Sequence, residues 1–266
     1  MKLYLDPGHG GNDSGATGNG LLEKNINLDI ALRIRTLLQN NYQNVEVNMS
    51  RTSDVARTLD QRTNEANAWG ADYFLSIHCN AFNGSARGYE DYIHSSLSGS
   101  SQTAVYQNIM HDEITKVNQL SNRGKKRANF HVLRESRMPA LLTENGFIDN
   151  ASDAALMADS SWRQRVAQGH VNGLARAFNL QGNGGGSDVI YRVIAGSFQT
   201  RENADARVSF LSSRGIDSFV STITVSGQQC FRVQSGAFSS RSNAEARLNE
   251  VKSAGISDAF IVQENL

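Results

Sequence analysis

The last third of the chain is written twice, at a period of 40 residues. Tyr191-Arg192-Val193-Ile194-Ala195-Gly196-Ser197-Phe198 returns as Phe231-Arg232-Val233-Gln234-Ser235-Gly236-Ala237-Phe238. Arg201-Glu202-Asn203-Ala204-Asp205-Ala206-Arg207 returns as Arg241-Ser242-Asn243-Ala244-Glu245-Ala246-Arg247. Each copy, 191–222 and 231–262, reads as strand, helix, strand. The helices are expected to be capped near Asn203 and Asn243, and the closing strands to run over Ser218–Thr222 and Ala259–Val262. One copy cannot bury the face of its own sheet, so the two must pair into a single small α+β domain of ferredoxin-like βαβ-βαβ form. Such a sheet leaves one face open as a binding platform.

The segment Gln181-Gly182-Asn183-Gly184-Gly185-Gly186-Ser187-Asp188 reads as a flexible linker. It divides the chain into expected domains 1–180 and 189–266, joined by 181–188. Upstream, strands and helices alternate. Leu3–Asp6, Val45–Met49, Tyr73–His78, Tyr89–His94, His131–Arg134 and Ala140–Thr143 read as extended. Glu23–Gln39, Leu59–Trp69, Gln102–Leu120 and Trp162–Phe178 read as helices. Alternation of this kind predicts an α/β domain, a central mostly parallel sheet flanked by helices.

Composition bounds the partners. Of 266 residues, 39% are hydrophobic and 20% charged, as in ordinary globular domains. The formal net charge is zero, so no global field draws the chain to nucleic acid or to acidic membranes. No segment approaches the roughly 18 apolar residues of a membrane span. Neither a basic segment nor an apolar one precedes the first strand, so the expectation is synthesis in the cytoplasm and release by lysis or non-Sec export. Cys79 and Cys230 fall in different expected domains and read as small apolar residues rather than a disulfide.

Candidate ligands gather at one sheet edge. The first strand runs into Asp6-Pro7-Gly8-His9-Gly10-Gly11, and Glu23 opens the next helix. His78 ends a strand in Ser76-Ile77-His78-Cys79-Asn80, and Glu144 ends the apolar run Ala140-Leu141-Leu142-Thr143-Glu144. His9, His78 and Glu144 lie at or just past the carboxyl ends of strands, where open α/β sheets bind ligands. Two imidazoles and a carboxylate suit Zn²⁺ and leave a fourth position for water. A further free carboxylate completes the groups needed for metal-assisted hydrolysis of an amide or ester. Position alone leaves two readings of Glu23 open, a ligand or a first-turn glutamate favoured by the helix dipole. His94, His111 and His170 read as surface or hydrogen-bonded core histidines, while His131 opens an expected strand and is a candidate for the cleft wall. The run Arg123-Gly124-Lys125-Lys126-Arg127 reads as a solvated loop, with contact to anionic wall polymer or stem-peptide carboxylates as the rival reading.

With these motifs in view, residues 1–180 resemble the zinc-dependent N-acetylmuramoyl-L-alanine amidases of the amidase-3 family. The likeness runs through Asp6-Pro7-Gly8-His9-Gly10-Gly11, Glu23, Arg51-Thr52 with Asp54, Leu59, Arg62 and Ala66-Asn67. It continues in Ala71-Asp72, Ser76-Ile77-His78, Asn80-Ala81 and Glu144-Asn145-Gly146-Phe147. Cys79 departs from the family's usual small or aliphatic residue and is expected to point away from the metal. The resemblance implies one Zn²⁺ per chain held by His9, Glu23 and His78, with Glu144 as general base. It implies cleavage of the amide between N-acetylmuramic acid and L-alanine in peptidoglycan. Asn80 and His131 are then candidate substrate contacts.

Residues 189–266 resemble a SPOR domain, which binds peptidoglycan glycan strands stripped of their peptides. Arg192, Phe198, Arg232 and Phe238 are its candidate sugar contacts, with part of the two phenylalanines expected in the core. The whole arrangement is similar to the late amidases by which spore-forming bacteria lyse the mother-cell wall. Rival readings are a phage endolysin, a zinc peptidase or deacetylase acting on another wall bond, and a wall-binding protein with a dead site. The chain is expected to be a monomer without nucleic-acid or membrane partners.

Overall fold

Leu3, Tyr4 and Leu5 are all fully buried, the signature of a central parallel strand covered on both faces. In the computed structural model, which describes residues 1–182, 189–225, 227–238 and 241–265, they belong to the first of two units, Met1–Leu180 and Gln181–Leu266. Residues 183–188 of the expected linker lie outside the described residues. The first unit begins with β1 (Lys2–Pro7), the short hairpin β2 (Thr17–Gly18) and β3 (Leu21–Leu22), α1 (Glu23–Asn41), β4 (Glu46–Met49) and α2 (Leu59–Trp69). It continues with β5 (Tyr73–Asn80), β6 (Tyr89–His94), α3 (Gln102–Thr115), β7 (Asn122–Ala128) and α4 (His131–Arg134). β8 (Ala140–Phe147), α5 (Ala151–Ala158) and α6 (Ser160–Phe178) close it.

The sheet order is β4-β1-β5-β8-β6-β7. The first four strands are parallel, β6 runs antiparallel to β8, and β7 runs parallel to β6. Alternating side chains divide the core in two. Leu3, Leu5, Leu75, Ile77 and Leu141 pack under α1, α3 and α6, while Tyr4, Phe74 and Leu142 pack under α2 and α4. The stripe Ile26, Ile30, Ile34 and Leu38 is what turns α1 inward. Boundary residues are conventional: Thr58 and Gln61 form a capping box on α2, and Gly70 ends it in the left-handed region at φ 68°.

Three expectations are corrected. His131–Arg134 is a one-turn helix, because its apolar Val132 and Leu133 pack beneath α2 rather than along a strand. The basic run is not a loop but the edge strand β7, where charged side chains guard an unpaired edge. α3 ends at Thr115, short of Leu120, with Gln119 left-handed at φ 58°. α5 and the β2–β3 hairpin carry no period long enough to be read from sequence.

The second unit runs β9 (Val189–Phe198), α7 (Arg201–Ser212), β10 (Phe219–Val225), β11 (Gln228–Phe238), α8 (Arg241–Ser253) and β12 (Phe260–Asn265). Its order is β10-β11-β9-β12, every pair antiparallel. Among the described residues each copy's strands therefore pair only with the other copy's. Val193, Ala195 and Val233 pack against Ala204 and Leu211 of α7 and Ala244 and Val251 of α8, so both helices cover one face. The cap of α7 is Thr200, whose hydroxyl accepts from Asn203 N. Asn203 is thus inside the first turn rather than the cap.

Candidate metal centre and cleft

His9 holds a left-handed backbone, φ 62°, that a non-glycine residue keeps only under constraint. Two buried arginines supply it. Arg51 donates to Pro7 O at 3.0 Å and Gly8 O at 2.9 Å. Arg62 donates to Pro7 O at 3.0 Å and His9 O at 2.9 Å. Arg62 is anchored in turn by Asp6, which is 1% exposed and also accepts from Ser50 and Ser76. Burial alone would raise the Asp6 pKa, but the Arg62 charge and hydrogen bond hold it below the usual value.

The ring of His9 turns into the site between two carboxylates. Its Nδ1 lies 2.8 Å from Asp13 Oδ2 and its Nε2 lies 3.2 Å from Glu23 Oε2. His78 Nδ1 lies 2.9 Å from Glu23 Oε1. One ligand atom from each of His9, Glu23 and His78 falls within 4.8 Å of the others. Glu23 is 3% exposed and held by three donors: Ala16 N at 2.7 Å, Cys79 N at 3.0 Å and Asn27 Nδ2 at 3.1 Å. Burial pushes its pKa up, and the two imidazoles with their hydrogen bonds outweigh that and bring it far down. A deeply ionised carboxylate between two imidazole nitrogens is the donor set a Zn²⁺ ion takes, and Asp13 is the outer partner such a histidine needs to fix its tautomer. Gly8 makes room, since a Cβ there would run into the His78 ring.

Glu144 stands next to this group without joining it. It lies opposite His78 in the β5–β8 register. Its Oε2 is buried with no hydrogen-bond partner among the described residues. Burial first, and then the charges of Glu23 and Glu90, push its pKa well up, which favours a carboxyl that trades a proton. A cleft of about 560 Å³ opens above His9, His78 and Glu144, walled by Thr58 and Leu59 at the start of α2 and by Phe130 and His131 at α4.

His131 thus lines the cleft from a helix, with Nε2 3.0 Å from Asp60 Oδ1. Among the described residues Asn80 makes no hydrogen bond to His9, Glu23 or His78. Its Nδ2 donates to Glu90 Oε1 at 3.0 Å and its Oδ1 accepts from Ala81 N at 2.9 Å. Cys79 is buried in the apolar core, its side chain on the opposite face from His78. His170 is buried core, its pKa pushed down to about 4 by desolvation, and His111 is buried against Asp91. Asp13 and Glu90 are functional candidates that sequence reasoning missed. Asp13 had one signal, its place four residues past His9 in the glycine-rich loop.

In the second unit the four candidate sugar contacts divide between the two faces of the sheet. Arg192 donates to Glu264 at 2.7 Å and to Gln234 at 3.4 Å, on the face away from the helices. Arg232 alternates with Val233 and shares that face. Phe198 and Phe238 pack instead against the helix-side core, Phe198 with the Arg207 guanidinium 5.2 Å from its ring. Register shifts at Gly196 (φ 135°) and Gly236 (φ 138°) account for this, because each bulge reverses the alternation beyond it.

Comparison with known proteins gives two family matches. Residues 3–176 match the N-acetylmuramoyl-L-alanine amidase model and residues 187–263 match the SPOR domain. The chain is 53% identical over 220 residues to the N-acetylmuramoyl-L-alanine amidase CwlM of Bacillus licheniformis, spanning 83% of this chain and 84% of that protein. It is 51% identical over 220 residues to the sporulation-specific N-acetylmuramoyl-L-alanine amidase of Bacillus subtilis, with the same shares. Among solved structures, the catalytic domain of the amidase CwlV from Bacillus (Paenibacillus) polymyxa aligns with a TM-score of 0.64 at 34% identity, covering 68% of this chain and 99% of that one.

Proposed function

The chain belongs to the N-acetylmuramoyl-L-alanine amidase family, and on that premise we propose that it is a zinc enzyme whose ligands are His9, Glu23 and His78 and whose general base is Glu144. The bond cut is the amide between N-acetylmuramic acid and L-alanine, and the polymer is peptidoglycan. The observation that carries the zinc reading is the convergence of two imidazole nitrogens on the two oxygens of a buried carboxylate.

When bound, the ion supplies a Lewis acid that polarises the lactyl carbonyl and acidifies the attacking water. The rest falls to the chain. Asp13 holds His9 in one tautomer, and the three donors on Glu23 hold it in place. Glu144 accepts the proton of the water at a carboxylate oxygen that no described residue hydrogen-bonds. It then returns the proton to the alanine nitrogen, without which an amine leaves poorly. His131 and the lip of α2 confine the substrate over these groups.

The SPOR unit binds peptidoglycan, with Arg192 and Arg232 as its contacts to glycan strands stripped of their peptides. The biological role is lysis of the mother-cell wall late in sporulation, a reading supported by the sporulation-specific relative of Bacillus subtilis. The enzyme works as a monomer on the wall. Digestion of purified peptidoglycan with and without chelator, with products identified by mass, tests the assignment. Free L-alanine amino termini beside intact muramic acid are expected, lost with chelator and restored by Zn²⁺. Release of any other bond would point to a peptidase or deacetylase.

A further inference from the structure

The row of side chains that carries the proposed chemistry continues past Glu144. His78 in β5 lies opposite Glu144 in β8, and Glu144 lies opposite Glu90 in β6. Beyond Glu90, on the edge strand β7, Arg123 Nε and Lys126 Nζ both donate to one oxygen, Glu90 Oε2, at 2.6 and 2.5 Å. Tyr92 Oη and Asn80 Nδ2 occupy the other oxygen at 2.6 and 3.0 Å. Glu90 is 2% exposed, whereas Arg123 and Lys126 each keep 35% of the side chain in solvent. Two cations share one buried carboxylate, so this edge of the site carries a surplus positive charge facing water.

The cations are also held in place. The Arg123 guanidinium carbon sits 4.8 Å over the Phe147 ring, and its Nη1 donates to Arg87 O at 3.3 Å. Its Nη2 has no partner among the described residues. Lys126 Nζ lies 5.8 Å from the Tyr92 ring. A guanidinium fixed on an aromatic face with a free N–H edge, beside an ammonium with donors to spare, is preorganised for a carboxylate.

We propose that Arg123 and Lys126 form a subsite for the free α-carboxylate of the second, D-glutamyl residue of the stem peptide. This rests on the amidase reading above, because that reading fixes the direction of the peptide. Glu144 serves the leaving nitrogen, so the peptide departs on the Glu144 side, over β6 and β7. Adjacent strands lie about 4.8 Å apart, which puts β6 and β7 roughly 5 and 10 Å beyond Glu144. In a γ-linked glutamyl residue the free carboxylate lies roughly 6 Å from the alanine nitrogen, one step of about 3.8 Å and two bonds. The Arg123 side chain leans back over Glu90 to meet it. Peptides whose second residue is amidated lack the charge this edge is built to meet.

The test uses two muramoyl tripeptides that differ only at the second residue, D-glutamate or its isoglutamine amide, each ending in an amidated L-lysine. The full-length zinc enzyme is expected to favour the acid by about tenfold in kcat/KM, the order of one charge-assisted contact. Arg123→Gln and Lys126→Gln should each bring the ratio towards one, and Arg123→Lys should keep part of it. Calorimetric Kd values for the free tripeptides should follow the same order. Each variant leaves Glu90 one cation, and a thermal melt checks that it is folded. A ratio near one in the parent enzyme, or one unchanged in both glutamine variants, overturns the subsite. Failure to cut either tripeptide would count against the amidase reading instead, and the Kd comparison would still decide the subsite.

Discussion

Glu23 is a residue whose role its own position could not decide. As the first residue of α1 it could have served the helix end alone, yet its two oxygens meet His9 Nε2 and His78 Nδ1 at 3.2 and 2.9 Å. His9, His78 and Glu144 were legible because each ends a run of strand-like sequence. Asp13 and Glu90 were not, since nothing local marks a carboxylate whose partner is 4 residues away in a loop or on the neighbouring strand of a sheet. The ligand assignment predicts that His9→Ala and His78→Ala each lose zinc, read by elemental analysis of the purified protein, along with activity. Full occupancy in both would sink it. Glu144→Gln keeps the shape of the side chain but cannot take a proton. Zinc should stay while turnover falls by roughly 10²–10⁴-fold, the worth of general acid–base help. Loss of zinc in that variant would make Glu144 a ligand.

Among the elements, α3, β6 and β7 are joined by one buried histidine. His111 Nδ1 lies 2.7 Å from Asp91 Oδ2, and its Nε2 lies 3.0 Å from Asn122 Oδ1. Both ring nitrogens thus face acceptors, which favours the doubly protonated ring. Burial pulls the His111 pKa down, but the Asp91 hydrogen bond and charge outweigh it and leave it raised above 6.5. A raised folded pKa contributes stability that is complete below 6.5 and fades as pH climbs through the folded value. The melting temperature of the parent should therefore exceed that of His111→Gln most at about pH 6, and the gap should shrink as pH rises above 6.5. A gap that widens with pH would contradict the pairing.

Other elements defeat a local reading of the sequence. Val132-Leu133 looked like strand and became a helical turn, because tertiary packing under α2 outweighs the preference of so short a run. Phe198 and Phe238 follow the same alternation as Arg192 and Arg232 until a glycine bulge intervenes, and a glycine at the same place in both copies was the available sign. Gly236→Ala would force φ 138° on an L residue and set its Cβ 2.6 Å from Phe238 Cε2. A cost of about 1–3 kcal/mol to the SPOR unit is expected, measured by denaturant melting of residues 181–266.

The two units divide the work of cutting and holding. The two-unit reading was open to sequence analysis because a repeat and a change of composition are both visible in one chain. The pairing order of the repeat was not, since nothing local says that β11 inserts between β9 and β10. That insertion sharpens a prediction. Among the described residues β9 pairs only with β11 and β12, and β10 only with β11, so neither copy contains a strand pair of its own. Cutting between β10 and β11 should leave two unfolded pieces, each lacking every sheet hydrogen bond and exposing half of a shared core. Cutting near residue 185 should leave two folded ones. The piece 1–180 should cut soluble muropeptide-like fragments at near the full rate, since His9, Glu23, His78 and Glu144 all lie within it. On intact sacculi it should fall behind the whole chain, because a tethered binder raises the local concentration of the catalytic unit by mass action alone. The piece 181–266 should sediment with sacculi without cutting them, and more of it should bind once stem peptides have been removed. Equal rates on sacculi for the whole chain and the first piece would mean that the SPOR unit does not target the enzyme.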